Sequence, residues 1–207
     1  MLQQLRRVIR RASRRASGGV EQGQAFYDRR YREKADKRLP YHLSHYYALW
    51  SVIADRVSGQ ASVLEVGCGA GQLGTLLRAQ GIARYTGFDL SPAAVSIARE
   101  QCPGGDFRVA DAFETDLFTT IDYDTIICTE VLEHVERDRE LIERWPPGVR
   151  CVCSVPDFPG KAHVRHFTSA DEVTDRYADL FANLVVTTHV RASERAGRFF
   201  LLDGTRH

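Results

Sequence analysis

The sequence predicts an α/β domain: a doubly wound, mostly parallel seven-stranded sheet with helices on both faces. Three observations carry this expectation. Val63-Leu64-Glu65-Val66 is a short, valine-rich run of the kind buried on both faces of a parallel sheet, and it passes straight into Gly67-Cys68-Gly69-Ala70-Gly71 and a helical pattern from Gln72. Further short apolar runs at residues 83–88, 107–110, 123–128 and 150–156 alternate with helical segments, as βαβ units do. Two last runs, residues 184–190 and 199–202, are separated only by a polar turn containing glycine, which makes an antiparallel hairpin.

Taken in order, residues 1–19 read as a basic amphipathic extension. Arg6, Arg7, Arg10, Arg11, Arg14 and Arg15 accompany Leu2, Leu5, Ile9, Ala12 and Ala16 at helical spacing, and Ser17-Gly18-Gly19 marks a linker. Such a helix suits weak contact with an anionic membrane surface or nucleic-acid phosphate, or it is simply a solvated terminus. Residues 21–57 are helical in pattern and rich in aromatics, and the main domain spans residues 20–207. At 207 residues the chain holds one well-buried domain and not two. A net charge of +1 gives no global pull toward nucleic acid. The 5 cysteines, an odd number scattered over predicted strands and loops, fit small apolar residues in a reducing compartment. No run is long enough to span a bilayer and the start lacks a signal peptide's apolar core, so a cytoplasmic protein, peripheral to the membrane if residues 1–18 touch it, is expected.

In the first strand and turn, Gly67, Gly69 and Gly71 remove side chains where the backbone turns sharply, and the helix from Gln72 aims free amides at that turn. Asp89 ends the second strand-like run, where a carboxylate can accept ribose hydroxyls. The same parts would fit a dinucleotide, but Glu65 and the form Glu-Val-Gly-Cys-Gly-Ala-Gly depart from the spacing of a pyrophosphate cradle. This stretch resembles the class I S-adenosylmethionine-dependent methyltransferases, whose first motif reads Glu-x-Gly-x-Gly-x-Gly and whose second strand ends in an acid. The resemblance implies a Rossmann-like methyltransferase fold and S-adenosylmethionine as cofactor, with Glu65, Gly67, Cys68, Gly69, Gly71, Asp89 and Leu90 around it. It also implies that helices within 21–57 wall the substrate site, which makes Tyr27, Tyr31, His42, His45 and Tyr46 lining candidates, although most aromatics at such spacing are core.

Ser91-Pro92 opens a helix with a hydroxyl cap and proline at its first position. The third strand runs into Asp111-Ala112-Phe113. In the resembled enzymes an acid here accepts from the adenine amine, so Asp111 and Ala112 carry over, with Phe113 able to stack. Asp111 as a mere turn cap is the competing reading.

The fourth strand leads into Thr129-Glu130-Val131-Leu132-Glu133-His134, with Thr129 a further cofactor-binding candidate. If a helix starts here, Glu130, Glu133 and His134 share one face. Two chemistries compete. Glu130, Glu133 and His134, completed by His166 or His163, can hold Mg²⁺ or another divalent cation, or His134 can act as a metal-free general base oriented by Glu133. An ordinary salt-bridged helix start is the bland alternative. This group resembles both ubiquinone-biosynthesis O-methyltransferases and small-RNA 3′-terminal 2′-O-methyltransferases. The loop from residue 156 to Phe167 adds His163, Arg165 and His166 as substrate or catalytic candidates, and Ser169-Ala170-Asp171-Glu172 reads as a capping box. The expected reaction is methyl transfer to the hydroxyl of a small-molecule acceptor of sugar, catechol or natural-product type. Ribose methylation of RNA and a non-catalytic, cofactor-binding scaffold are the alternatives.

Overall fold

The computed structural model describes residues 19–191 and 197–207, so the expected basic helix at 1–18 lies outside the described residues. Seven strands form one sheet: β1 (Ser62–Val66), β2 (Arg84–Asp89), β3 (Asp106–Val109), β4 (Thr125–Thr129), β5 (Arg150–Pro156), β6 (Phe181–Val190) and β7 (Arg198–Arg206). Their order is β3-β2-β1-β4-β5-β7-β6. The first five pair in parallel, while β7 is antiparallel to both β5 and β6. The order reverses between β1 and β4, which opens a crevice at the carboxyl ends of those strands.

The helices are α1 (Gln24–Glu33), α2 (Tyr47–Arg56), α3 (Gln72–Ala79), α4 (Pro92–Gln101), α5 (Leu117–Thr120), α6 (Asp138–Glu143) and α7 (Ala170–Tyr177). Alternate residues of each central strand feed opposite cores, as the period of two requires. Leu64, Val66, Ile126, Cys128, Cys151 and Cys153 pack with Leu132, Leu141, Trp145 and Tyr177 on one face. Val63, Ile127 and Val152 pack with Ile53, Leu73, Leu77 and Phe199 on the other. Ser91 caps α4 by accepting from the Ala94 N–H at 3.2 Å, and Ser169 caps α7 by accepting from the Glu172 N–H at 3.2 Å. The Glu172 carboxylate accepts in return from the Thr168 N–H at 2.7 Å. Among the described residues no helix is long and apolar enough to cross a membrane.

Within residues 21–57 the helices are α1 and α2, separated by short 3₁₀ turns at Ala35–Arg38 and Tyr41–Leu43 flanking Pro40, which has no N–H to continue a helix. The structure departs from expectation at one place that matters for the site: no helix runs through residues 129–135. Glu130 adopts a left-handed φ of 55°, the chain turns back, and α6 starts only at Asp138. That turn is held by Arg165, which donates to the carbonyls of Leu132, Val135 and Glu136 and pairs with buried Asp138 at 3.5 Å. Asp138 also takes Arg176 at 2.6 Å and the Tyr177 hydroxyl at 2.6 Å.

Candidate active site

The glycine-rich turn is shaped by three positive φ values, at Gly67, Gly69 and Gly71. A Cβ on Gly67 would run into the Val131 side chain, and one on Gly69 would meet the Tyr31 hydroxyl at 2.6 Å. Gly71 faces elsewhere. Its Cβ would strike Ala98 at 2.9 Å and Phe107 at 3.0 Å, so it is needed for packing α3 against α4 and β3, and it does not line the cavity.

Asp89, at the end of β2, accepts from the Gly69 N–H at 2.9 Å and the Ser91 N–H at 2.8 Å, and thereby ties the turn to the start of α4. Burial raises its carboxyl. Asp111 accepts from the Phe113 N–H at 2.8 Å, so it does cap the turn, and it lines the cavity as well. The Arg137 guanidinium stacks on the Phe113 ring at 4.1 Å. Glu65 is buried beneath the floor, accepts from the Tyr85 hydroxyl, and is pushed up to about 8 chiefly by burial.

These residues surround a cavity of about 660 Å³, a size suited to a small-molecule site. Gly67, Cys68, Gly69, Asp89, Leu90, Asp111, Ala112, Phe113 and Thr129 line one half, with Glu65 at its base. Tyr27, Tyr31, His45, Tyr46 and His163 also line it. The roof is α1 and the segment before it. The Asp28 carboxylate accepts from the Ser91 hydroxyl at 2.6 Å and the Ala93 N–H at 3.1 Å, and the Glu21 carboxylate accepts from the Glu136 N–H at 2.7 Å. Tyr46 stacks against Trp50 and Phe199, with ring centroids 5.5 and 5.6 Å away. Arg165 does not line the cavity, because its guanidinium is committed to the carbonyls of the 132–136 turn.

At the carboxyl ends of β4 and β5 the structure groups Glu133, His134 and His163, whose ligating atoms lie within 4.8 Å of one another. Glu130 and His166, expected as ligands alongside Glu133 and His134, are not in this group. The left-handed turn at Glu130 sends its carboxyl onto the Ser154 hydroxyl at 2.9 Å. His166 sits between the Arg165 strut and core Phe167, with its Nδ1 buried and without a hydrogen-bond partner. His163 takes the third place because the Gly160–His163 turn, closed by a 3.1 Å bond from the His163 N–H to the Gly160 carbonyl, folds over His134.

Both imidazoles are oriented by the backbone. His134 Nδ1 lies 2.9 Å from the Ala162 carbonyl and His163 Nδ1 lies 3.1 Å from the Phe158 carbonyl, so each Nδ1–H donates and each Nε2 keeps its lone pair. His134 Nε2 faces a Glu133 oxygen at 3.6 Å. Glu133 is fully buried and neither carboxyl oxygen has a hydrogen-bond partner. Burial, reinforced by Glu130, holds its carboxyl well above the usual range. Burial pushes His134 down to about 4 and lowers His163 too.

Among the cavity residues that the sequence reading did not single out, two stand apart. Phe158 and Arg191 lie at the opposite end from Asp89, with the Arg191 guanidinium 4.8 Å over the Phe158 ring. Their only sequence signal is position, one just after β5 and the other just after β6.

Residues 63–145 match the family described as Methyltransferase domain. The ubiquinone biosynthesis O-methyltransferase of Xanthomonas oryzae pv. oryzae (strain PXO99A) is 37% identical over 98 residues, covering 43% of this chain and 41% of that protein. Its counterpart in Aromatoleum aromaticum is 39% identical over 87 residues, covering 39% of this chain and 37% of that protein. The similarity thus spans about two fifths of these relatives' length. Among solved structures, the N-methyltransferase NodS from Bradyrhizobium japonicum WM9, in complex with S-adenosyl-L-homocysteine, superposes with a TM-score of 0.63 at 18% identity, over 88% of this chain and 97% of that one. Magnesium protoporphyrin IX methyltransferase from Synechocystis PCC 6803 gives 0.57 at 22% identity, over 79% and 84%. Motif, strand order and sequence match agree: residues 63–145 match a methyltransferase domain, and the chain has the fold of the class I S-adenosylmethionine-dependent methyltransferases.

Proposed function

We propose that this chain transfers the methyl group of S-adenosylmethionine to a hydroxyl oxygen of a small-molecule acceptor, assisted by a divalent cation at Glu133, His134 and His163. The observation that carries the reading is the pair of Nε2 lone pairs beside a buried carboxyl with no hydrogen-bond partner. Imidazoles whose Nδ1–H is fixed by a backbone carbonyl are what a metal site requires of its histidines. One carboxylate and two imidazoles suit Mn²⁺, Fe²⁺, Co²⁺ or Zn²⁺ better than Mg²⁺, which prefers oxygen.

The alternative of a metal-free base is weaker on energetic grounds. His134 at about 4 is some six units short of a phenol near 10, a gap of about 8 kcal/mol at ~1.36 kcal/mol per unit. When bound, the cation supplies the acidification that the acceptor hydroxyl needs. The chain's own residues do the rest. The Gly67–Gly69 turn admits the nucleoside closely, Asp89 and the Asp111-Ala112-Phe113 turn flank it, and Tyr27, Tyr31 and Tyr46 exclude water above it. The matched O-methyltransferases support oxygen as the accepting atom.

Calorimetric titration of S-adenosylhomocysteine, and separately of Mn²⁺ and Mg²⁺, into wild type and Glu133→Gln tests both halves. The nucleoside is expected to bind both proteins, and Mn²⁺ to bind wild type alone, more tightly than Mg²⁺. On a panel of catechols and sugars, turnover is expected to fall ~100-fold or more in Glu133→Gln. Equal metal binding by the two proteins would sink the cation site, and methylation of an oligoribonucleotide with none of the small acceptors would redirect the reading to RNA.

A further inference from the structure

Arg191 has no part in the chemistry above, yet it lines the same cavity. β6 runs antiparallel to β7, which runs antiparallel to β5, so β6 points the same way as the parallel strands and its end reaches the ligand edge of the sheet. Five strand spacings separate β6 from β2, which at ~4.8 Å each puts Arg191 about 24 Å across the sheet from Asp89. Arg191 therefore belongs to the acceptor's half of the cavity and not to the nucleoside's.

One nitrogen of its guanidinium has no partner among the described residues. The Nε of Arg191 is buried with no hydrogen bond, and among the described residues no carboxylate lies within ion-pair distance. Its charge acts on Glu130, but the Glu130 carboxyl is engaged by the Ser154 hydroxyl. The ring beneath the guanidinium is itself fixed, since Phe158 packs edge-on against Phe199 at 5.7 Å. A buried N–H without an acceptor costs free energy, and a planar guanidinium on an aromatic platform is suited to a flat, two-oxygen anion.

We propose that Arg191 is a specificity-determining residue that binds a carboxylate-type anionic group on the acceptor. This rests on the methyltransferase reading and deepens it. The Phe158 ring lies under Arg191, and the Phe158 carbonyl holds His163 in place, with the two rings 5.9 Å apart. One short segment thus links the anion site to a proposed metal-binding histidine, so a compact acceptor can reach both. The acceptor is a compact hydroxy acid.

The test uses the full chain and matched probes, 3,4-dihydroxybenzoate and its neutral amide, titrated with and without saturating S-adenosylhomocysteine. Wild type is expected to bind the acid at least 10-fold more tightly than the amide. Arg191→Gln is expected to bring that ratio near one, and Arg191→Lys to restore part of it. A wild-type ratio near one, absence of binding by both probes included, overturns the proposal, as does an unchanged ratio in Arg191→Gln. Nucleoside affinity and melting temperature report whether each variant is folded. If S-adenosylhomocysteine itself fails to bind wild type, the methyltransferase reading fails, while the acid-to-amide ratio without nucleoside still decides the anion site.

Discussion

Gly69 shows how much one position can do. Its φ of 54° and the Tyr31 hydroxyl 2.6 Å from its absent Cβ mean that Gly69→Ala adds both backbone strain and a clash. A cost of about 1–3 kcal/mol is expected, seen as a lower melting temperature and roughly tenfold or greater loss of S-adenosylhomocysteine affinity in calorimetry. A variant that binds like wild type would mean that Tyr31 swings away freely. The glycine motif was legible because its chemistry is local: three glycines and two acids act within one strand, one turn and the next strand. The Glu133–His134–His163 group was only half legible. The spacing of Glu130, Glu133 and His134 reads as a helix face, and only the backbone shows the left-handed turn that takes Glu130 out. His163 could be shortlisted with His166 and Arg165, but the choice among them depends on which way a loop folds back over β4.

At the scale of elements, short signals held where they were self-contained. Ser91 and Ser169 cap the helices that follow them. What no local pattern could show is that α4 has a second cap from a distant chain segment, Asp28 on α1. Asp28→Ala is expected to lose about 1 kcal/mol of stability and to raise hydrogen exchange in α1 more than in α4, since Ser91 remains to cap the latter. Uniform exchange changes in both helices would argue that they are held as one unit. Asp138 is a harsher case. It is 1% exposed and collects Arg165, Arg176 and the Tyr177 hydroxyl. Asp138→Ala strands partly buried guanidiniums, and a loss of about 3–5 kcal/mol is expected in urea unfolding.

For the molecule as a whole, the mostly parallel seven-stranded sheet and its antiparallel end followed from the alternation of apolar runs and the closing hairpin. The ionisation pattern did not, because it depends on burial that composition cannot reveal. Glu65 and Glu130 both rise to about 8, from an ordinary value of 4.5. Between those values the folded protein holds more protons than the unfolded chain, so stability falls as pH rises. His134, lowered from 6.5 to about 4, acts in the opposite direction but only below pH 6.5. From pH 6.5 to 8 the carboxyls therefore dominate, and the ligand-free protein is expected to melt at lower temperature as the pH climbs. Glu65→Gln, which keeps an acceptor for Tyr85, should flatten part of that slope. A melting temperature that rises toward pH 8 would contradict the assignment.

The segment before and including α1 crosses the cavity and is fastened at both sides, by Glu21 on the Glu136 N–H and by Asp28 on the start of α4. Gly19 nestles among the carbonyls of Gly160, Lys161 and His163, close enough that a Cβ there would meet the His163 carbonyl at 2.6 Å. On the proposed function, a nucleoside held beneath this strap departs after a fastening opens. Glu21→Gln should accelerate S-adenosylhomocysteine dissociation in stopped-flow measurements, and an unchanged rate would mean that this fastening does not hold the nucleoside.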